Sequence, residues 1–121
     1  MTIFLVEDNA IVCKHLTEAI HTDTNHTVIG IAATAADALG QVPVLIPQII
    51  VLDIQLNEGN GFEVLRGFPT LVPKPKFIVL SNNTDAHFRQ NAARLGAEHF
   101  FDKSFEFPQF ITLLRSIAPL E

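Results

Sequence analysis

The sequence predicts an α/β protein built on a doubly wound, five-stranded parallel sheet flanked by five helices. Three observations predict it. Short apolar runs alternate with amphipathic stretches along all 121 residues, and a repeating βα pattern with short loops produces right-handed crossovers. The runs Ile3–Val6, Ile49–Leu52 and Phe77–Leu80 are continuously apolar, as in strands buried on both faces of a parallel sheet. Four runs also end on polar groups, Glu7-Asp8, Asp53, Ser81 and Lys103. The carboxyl ends of strands are where open α/β sheets gather their functional groups.

The elements follow in order. Strands are expected at 2–6, 27–33, 48–53, 76–81 and 98–102, and helices at 9–21, 35–46, 61–67, 85–95 and 105–118. In the first helix, Val12, Leu16, Ala19 and Ile20 keep the i, i+4, i+7, i+8 spacing of one buried face. Thr34 and Asp37 resemble a capping box opening the second helix, and Pro43 should kink or shorten it by removing a backbone donor. A third, short helix follows the Gly-rich stretch Glu58-Gly59-Asn60-Gly61. Leu71–Lys76, with two prolines, reads as a surface loop. Phe88, Ala92 and Leu95 line the fourth helix, and Gly96 stops it. Phe107, Phe110, Ile111, Leu114 and Ile117 form the stripe of the fifth, with Pro108 tolerated in its first turn.

This length predicts a single domain over residues 1–121, with enough burial for a core without staples. A formal charge of −5 weighs against direct nucleic-acid or anionic-membrane contact, both of which reward clustered Lys and Arg. Cys13 is the only cysteine, so no internal disulfide is possible and a reduced, cytoplasmic location is expected. The first residues lack a basic segment and meet acids at Glu7, unlike a signal peptide. The most apolar region, Val42–Leu52, is too short to span a membrane and contains Pro43, Pro47 and Gln48.

Three acids, one hydroxyl and one amine at one sheet edge suit metal-assisted phosphoryl chemistry. Clustered carboxylates repel one another and gain proton affinity unless a cation intervenes. Mg²⁺ (or Mn²⁺) fits, because Mg²⁺ is often held by one or two carboxylates plus a phosphate and keeps several waters. Asp8 and Asp53 are the expected direct ligands, Glu7 acts through water, and the backbone carbonyl of Gln55 supplies another oxygen. Asp53 is the nucleophile toward phosphorus. Lys103 offers a mobile positive charge to one equatorial oxygen, and the Ser81 hydroxyl donates to another. The product is an aspartyl phosphate.

Those residues resemble the receiver domains of two-component response regulators over essentially the whole chain. The acidic pair matches Glu7-Asp8, the phosphoacceptor Asp53, the hydroxyl Ser81, the aromatic switch Phe100, the lysine Lys103, and a loop glycine Gly61. The resemblance implies a flavodoxin-like sheet with strand order 2-1-3-4-5. It implies a phosphorylation-dependent signalling switch, not an enzyme, whose donor is a histidine kinase or histidine phosphotransfer protein. Ser81 and Phe100 would couple the phosphoryl group to the surface of the fourth helix, fifth strand and fifth helix, where a downstream protein binds. Gln55, Asn82 and Asn83 occupy positions that tune phosphate lifetime in the family.

The chain departs from the family at three places. Lys103 is usually followed by a cis proline, whereas here Ser104 follows. A cis bond before a non-proline costs about 2.5–4 kcal/mol, so a trans bond, or a cis bond held by strain, is expected. Asn82 replaces a small residue and should narrow access to the phosphoryl group. Asn57 replaces a common proline, which predicts a looser loop.

Bland readings exist for each residue alone: Asp8 as a helix cap, Asp53 as a turn residue, Phe100 as plain core. The five histidines show no metal spacing and read as surface or half-buried side chains, and Cys13 reads as a packing residue. Three rival functions remain. The first is a receiver excised from a longer regulator or hybrid kinase, although the start at Met1 and short tail favour a stand-alone one. A haloacid-dehalogenase-type phosphatase needs a second Asp where Gln55 stands. A phosphorylation-independent pseudo-receiver would not need the intact acids and lysine.

Overall fold

A computed structural model of the chain describes residues 1–117. The elements run β1 (Thr2–Val6), α1 (Ala10–Asp23), β2 (Thr27–Ala32), α2 (Ala35–Leu45), β3 (Ile49–Leu52), α3 (Gly61–Arg66), β4 (Lys76–Ser81), α4 (Ala86–Arg94), β5 (Ala97–Asp102) and α5 (Phe107–Ser116). The five strands form one sheet in the order β2-β1-β3-β4-β5, and all four pairings are parallel. This is the expected doubly wound topology. The expected boundaries hold to within a residue or two, and residue 118 of the expected last helix lies outside the described residues.

The continuous apolar runs have a simple geometric cause. Successive strand side chains point to opposite faces, and both faces are covered. Ile3, Leu5, Val51, Ile78 and Leu80 pack with Leu16 and Ile20 of α1 and with Phe110, Ile111 and Leu114 of α5. Phe4, Val6, Ile50, Leu52, Phe77 and Val79 pack with α2, α3 and α4 through Ala38, Val42, Val64 and Ala92. Phe4 is fully buried, and truncating it to alanine is expected to cost about 3–5 kcal/mol. A Cβ on Gly30 of β2 would lie 2.7 Å from the Phe4 ring and 2.8 Å from Leu45, so only glycine lets α2 close over that strand.

The helix starts are capped as their sequences ask. Asn9 accepts from Ile11 and Val12 N–H, Thr34 from Asp37, Asn60 from Glu63 and Asp85 from His87. Pro43 does not end α2, which runs on to Leu45 and closes on Ile46 in the left-handed region at φ 50°. Gly96, at φ +110°, follows α4. The buried face of α1 is Cys13, Leu16 and Ile20, with Val12 and Ala19 only half-buried, a rotation of the expected stripe toward Cys13. Phe107 and Ile117 likewise sit at the margin of the α5 stripe.

One histidine reading needs correction. His26 is buried, at 4% exposure, with Nε2 2.6 Å from the Leu114 carbonyl and Nδ1 2.8 Å from the amino group of Met1. It ties the start of β2 to α5, a partnership across 88 positions that local pattern does not reveal. Among the described residues, no helix is long and apolar enough to cross a membrane.

Candidate functional site

The strand order sets β1, β3, β4 and β5 side by side, so their carboxyl ends open on one edge. Backbone bonds carry the pairing one residue past the strands. Asp53 N–H donates to the Val6 carbonyl at 3.0 Å, and Lys103 N–H to the Ser81 carbonyl at 2.9 Å. Those bonds fix where each polar side chain departs. Lys103 Nζ then donates to Asp53 Oδ2 at 2.7 Å and to Glu7 Oε1. Glu7 and Asp53 are 4% and 7% exposed, so this is a buried charge cluster with one cation between two anions.

The remaining lone pairs are met by the loops. Asn9 N–H donates to Glu7 Oε2 at 3.2 Å, and Gln55 N–H to Asp53 Oδ1 at 3.0 Å. Asp8 adjoins the cluster and accepts from Asn57 N–H at 2.7 Å, so Asn57 ties its loop to the acidic pair. Gln55 and Asn60 form a small antiparallel bridge that folds the loop back. Gly61 closes it: its N–H donates to the Ile54 carbonyl at 2.8 Å, and a Cβ there would sit 2.5 Å from the Asp53 carbonyl oxygen. Glycine is demanded by that close approach.

Burial pushes the Glu7 carboxyl above its ordinary value, Asp8 adds to the rise, and the Lys103 ammonium and Asn9 N–H only partly offset it. Burial alone would lower Lys103, but its hydrogen bonds to Asp53 and Glu7, with their charges, hold the ammonium above its ordinary value. Cys13 is pushed up by burial and by Glu7, which keeps it a thiol and fits a packing role.

Ser81 is fully buried and accepts from Asn83 N–H at 3.2 Å. Its hydroxyl has joined the edge but is not bonded to Asp53. Ser104 Oγ donates to Asn82 Oδ1 at 3.1 Å, so two of the three departures from the family pattern touch each other. Among the described residues the only cis peptide bond is Val72–Pro73, which makes Lys103–Ser104 trans. Asp102 Oδ1 shapes that loop, accepting from the N–H groups of Ser104 and Phe105 at 2.8 and 3.0 Å. The lysine still faces Asp53.

Residues 3–115 match the family model described as the response regulator receiver domain. The chain belongs to this family. The receiver is 30% identical over 104 residues to the DNA-binding transcriptional activator DevR/DosR of Mycobacterium tuberculosis, covering 86% of this chain and 48% of that protein. It is 33% identical over 102 residues to a protein-glutamate methylesterase/protein-glutamine glutaminase of Symbiobacterium thermophilum, covering 84% of this chain and 28% of that one. The chain thus spans half or less of the length of these relatives. Its backbone resembles the response regulator domain of Thermotoga maritima CheB with TM-score 0.80 at 25% identity, over 98% of both chains. It also resembles the non-phosphorylated HemR receiver domain of Leptospira biflexa with TM-score 0.82 at 26% identity, covering 99% of this chain and 98% of that one.

The receiver's oxygen donors suit a hard cation. Among the described residues, no three His, Cys, Asp or Glu side chains cluster tightly enough to hold an ion unaided. Mg²⁺ asks for less, since waters and a phosphate complete its shell. Sequence reasoning missed Arg89 and Glu106. Arg89 stacks over the half-buried Phe100 ring at 4.7 Å and pairs with Glu106 at 3.4 Å. Neither residue lies at a strand end, and no local motif marks either.

Proposed function

We propose that this receiver is a phosphorylation-dependent switch in a two-component phosphorelay. Asp53 accepts the phosphoryl group of a phosphohistidine on a histidine kinase or phosphotransfer protein. A carboxylate oxygen forms the new bond to phosphorus, the P–N bond breaks, and the departing imidazole takes up a proton. The observation that carries this reading is the half-buried Lys103 ammonium, 2.7 Å from Asp53 Oδ2 and bonded also to Glu7. A lysine there is poised to pass from the carboxylate to a phosphoryl oxygen.

Asp8, Asp53 and the Gln55 carbonyl would hold Mg²⁺ or Mn²⁺, with Glu7 acting through water. The metal, when bound, neutralises charge on the transferring group. The raised Glu7 supports this, because burial, with Asp8 beside it, makes its charge costly unless a cation is near. Ser81 donates its hydroxyl proton, free while Oγ accepts from Asn83 N–H, to the phosphoryl group, and Phe100 follows, changing the α4–β5–α5 surface for a partner protein. Gln55, Asn82 and Asn83 flank the site and set how long the phosphate survives. The net charge of −5 supports output through protein contact and not through this domain's own binding to nucleic acid or membrane, and the compartment is the cytoplasm. The greater length of the relatives supports a second reading, in which this receiver controls further domains of a longer regulator.

Incubation with Mg²⁺ and a small-molecule phosphoryl donor, followed by intact mass measurement, tests the proposal. One added phosphoryl group, absent from Asp53→Ala, is expected. No addition, or addition that survives Asp53→Ala, overturns it.

A further inference from the structure

Arg89 makes four contacts to three separate parts of the receiver. Its Nε donates to the Thr84 carbonyl at 3.3 Å, in the loop that follows Ser81. Its Nη1 donates to the Phe100 carbonyl at 3.4 Å, on β5. Its Nη2 meets Glu106 Oε1 at 3.4 Å, at the head of α5, and its carbon lies 4.7 Å from the centre of the Phe100 ring. Glu106 Oε1 is itself fixed by Asp102 N–H at 2.9 Å. Each polar bond is long and the side chain is 41% exposed, so no single contact is strong. Their value lies in geometry: a planar guanidinium satisfies all its partners only in one relative placement of loop, strand and helix.

That placement competes with a phosphoryl group. Both Asp53 oxygens accept from protein donors, Gln55 N–H and Lys103 Nζ, and the Ser81 hydroxyl accepts from Asn83 N–H and is held back from Asp53. Moving the 81–84 segment toward Asp53 pulls the Thr84 carbonyl from Arg89, and turning Phe100 removes the ring from beneath it. We infer that Arg89 is a positioning residue that joins the Ser81 loop to Phe100 and holds the receiver in its non-phosphorylated arrangement. The inference rests on the switch reading above and adds to it the side chain that sets its equilibrium. A contact made in only one of two states biases their populations, and that bias appears in the affinity of any ligand selecting the other.

The test measures binding of beryllium fluoride with Mg²⁺ to the full chain by calorimetry. Arg89→Ala is expected to bind this phosphoryl mimic about two- to fivefold more tightly, the range of one exposed cation–π contact. Arg89→Lys keeps the charge but loses the planar fork, and is expected to behave like Arg89→Ala. In a Phe100→Leu background the gain from Arg89→Ala should fall by at least half. Unchanged or weaker affinity in Arg89→Ala overturns the inference, as does a gain that Phe100→Leu leaves intact. A merely structural Arg89 would lower thermal stability and leave mimic affinity alone. Wild-type protein that does not bind the mimic sinks the phosphoacceptor reading itself, and this inference with it.

Discussion

Lys103 sits between two carboxylates, and the sign of its pH effect follows from that. Its folded-state value is raised above 10.5, so the folded chain holds this proton more tightly than the unfolded one. The stabilisation is fully present below the ordinary value and is lost as pH rises through the raised one. The chain has no tyrosine, so no phenol confuses the alkaline range. In a Cys13→Ala background, which removes the other group raised in the alkaline range, urea midpoints in metal-free buffer should fall above pH 10.5. Lys103→Met should be less stable at neutral pH, with Glu7 and Asp53 left facing each other, and should lack its share of that fall. An unchanged alkaline limb in the variant contradicts the ion-pair account. A second residue-level prediction concerns the mouth of the site. The Ser104 hydroxyl holds the Asn82 amide, so Asn82→Ala should speed both phosphorylation by small donors and hydrolysis, and Ser104→Ala should reproduce part of each change. Rates equal to wild type in Asn82→Ala would show that the amide does not guard access. At this scale Glu7, Asp53 and Lys103 were legible in the sequence because strand ends put them in register. Arg89, Glu106 and His26 were not, since a side chain whose partners lie 11, 17 or 88 positions away leaves no local trace.

Elements were legible where one local force dominates and blurred where two compete. The caps of α1 to α4 were set by short polar side chains reaching nearby N–H groups. Pro43 illustrates competition: local chemistry opposes a helix there, yet Val42 is fully buried and packing carries α2 to Leu45. The helix then has to stop before Pro47, and Ile46 takes the left-handed conformation to do so. A β-branched residue at positive φ is strained by roughly 1–2 kcal/mol relative to glycine or asparagine. Ile46 is 45% exposed, so little burial is lost on replacing it. Ile46→Asn should therefore stabilise the fold by about 1 kcal/mol, read as a rise in urea midpoint at unchanged m-value. A loss of stability would mean that the exposed Val44, Leu45 and Ile46 side chains bury more than the strain costs.

For the whole molecule, sheet order and site location are one fact. Placing β1, β3, β4 and β5 side by side brings residues 7, 53, 81 and 103 to one edge, and the receiver accepts the cost of burying Glu7 and Asp53 there. Burial raises the Glu7 carboxyl, so its ionised form at neutral pH weighs against folding and leaves a standing bias toward binding a cation. A ligand that binds only the folded state stabilises it by about 2.7 kcal/mol at a hundredfold excess over its Kd. For a domain of this size that is a rise in Tm of roughly 10 °C. Saturating Mg²⁺ should produce such a rise without any phosphoryl donor, and Mn²⁺ should replace it. Asp8→Ala and Asp53→Ala should each abolish it, whereas Glu7→Gln, which removes a water-mediated metal partner and the Lys103 ion pair on that side, should weaken metal affinity and leave a smaller rise. Scanning calorimetry against metal concentration separates these outcomes. A rise that persists in Asp8→Ala and Asp53→Ala would locate the metal elsewhere and detach it from the phosphoryl chemistry.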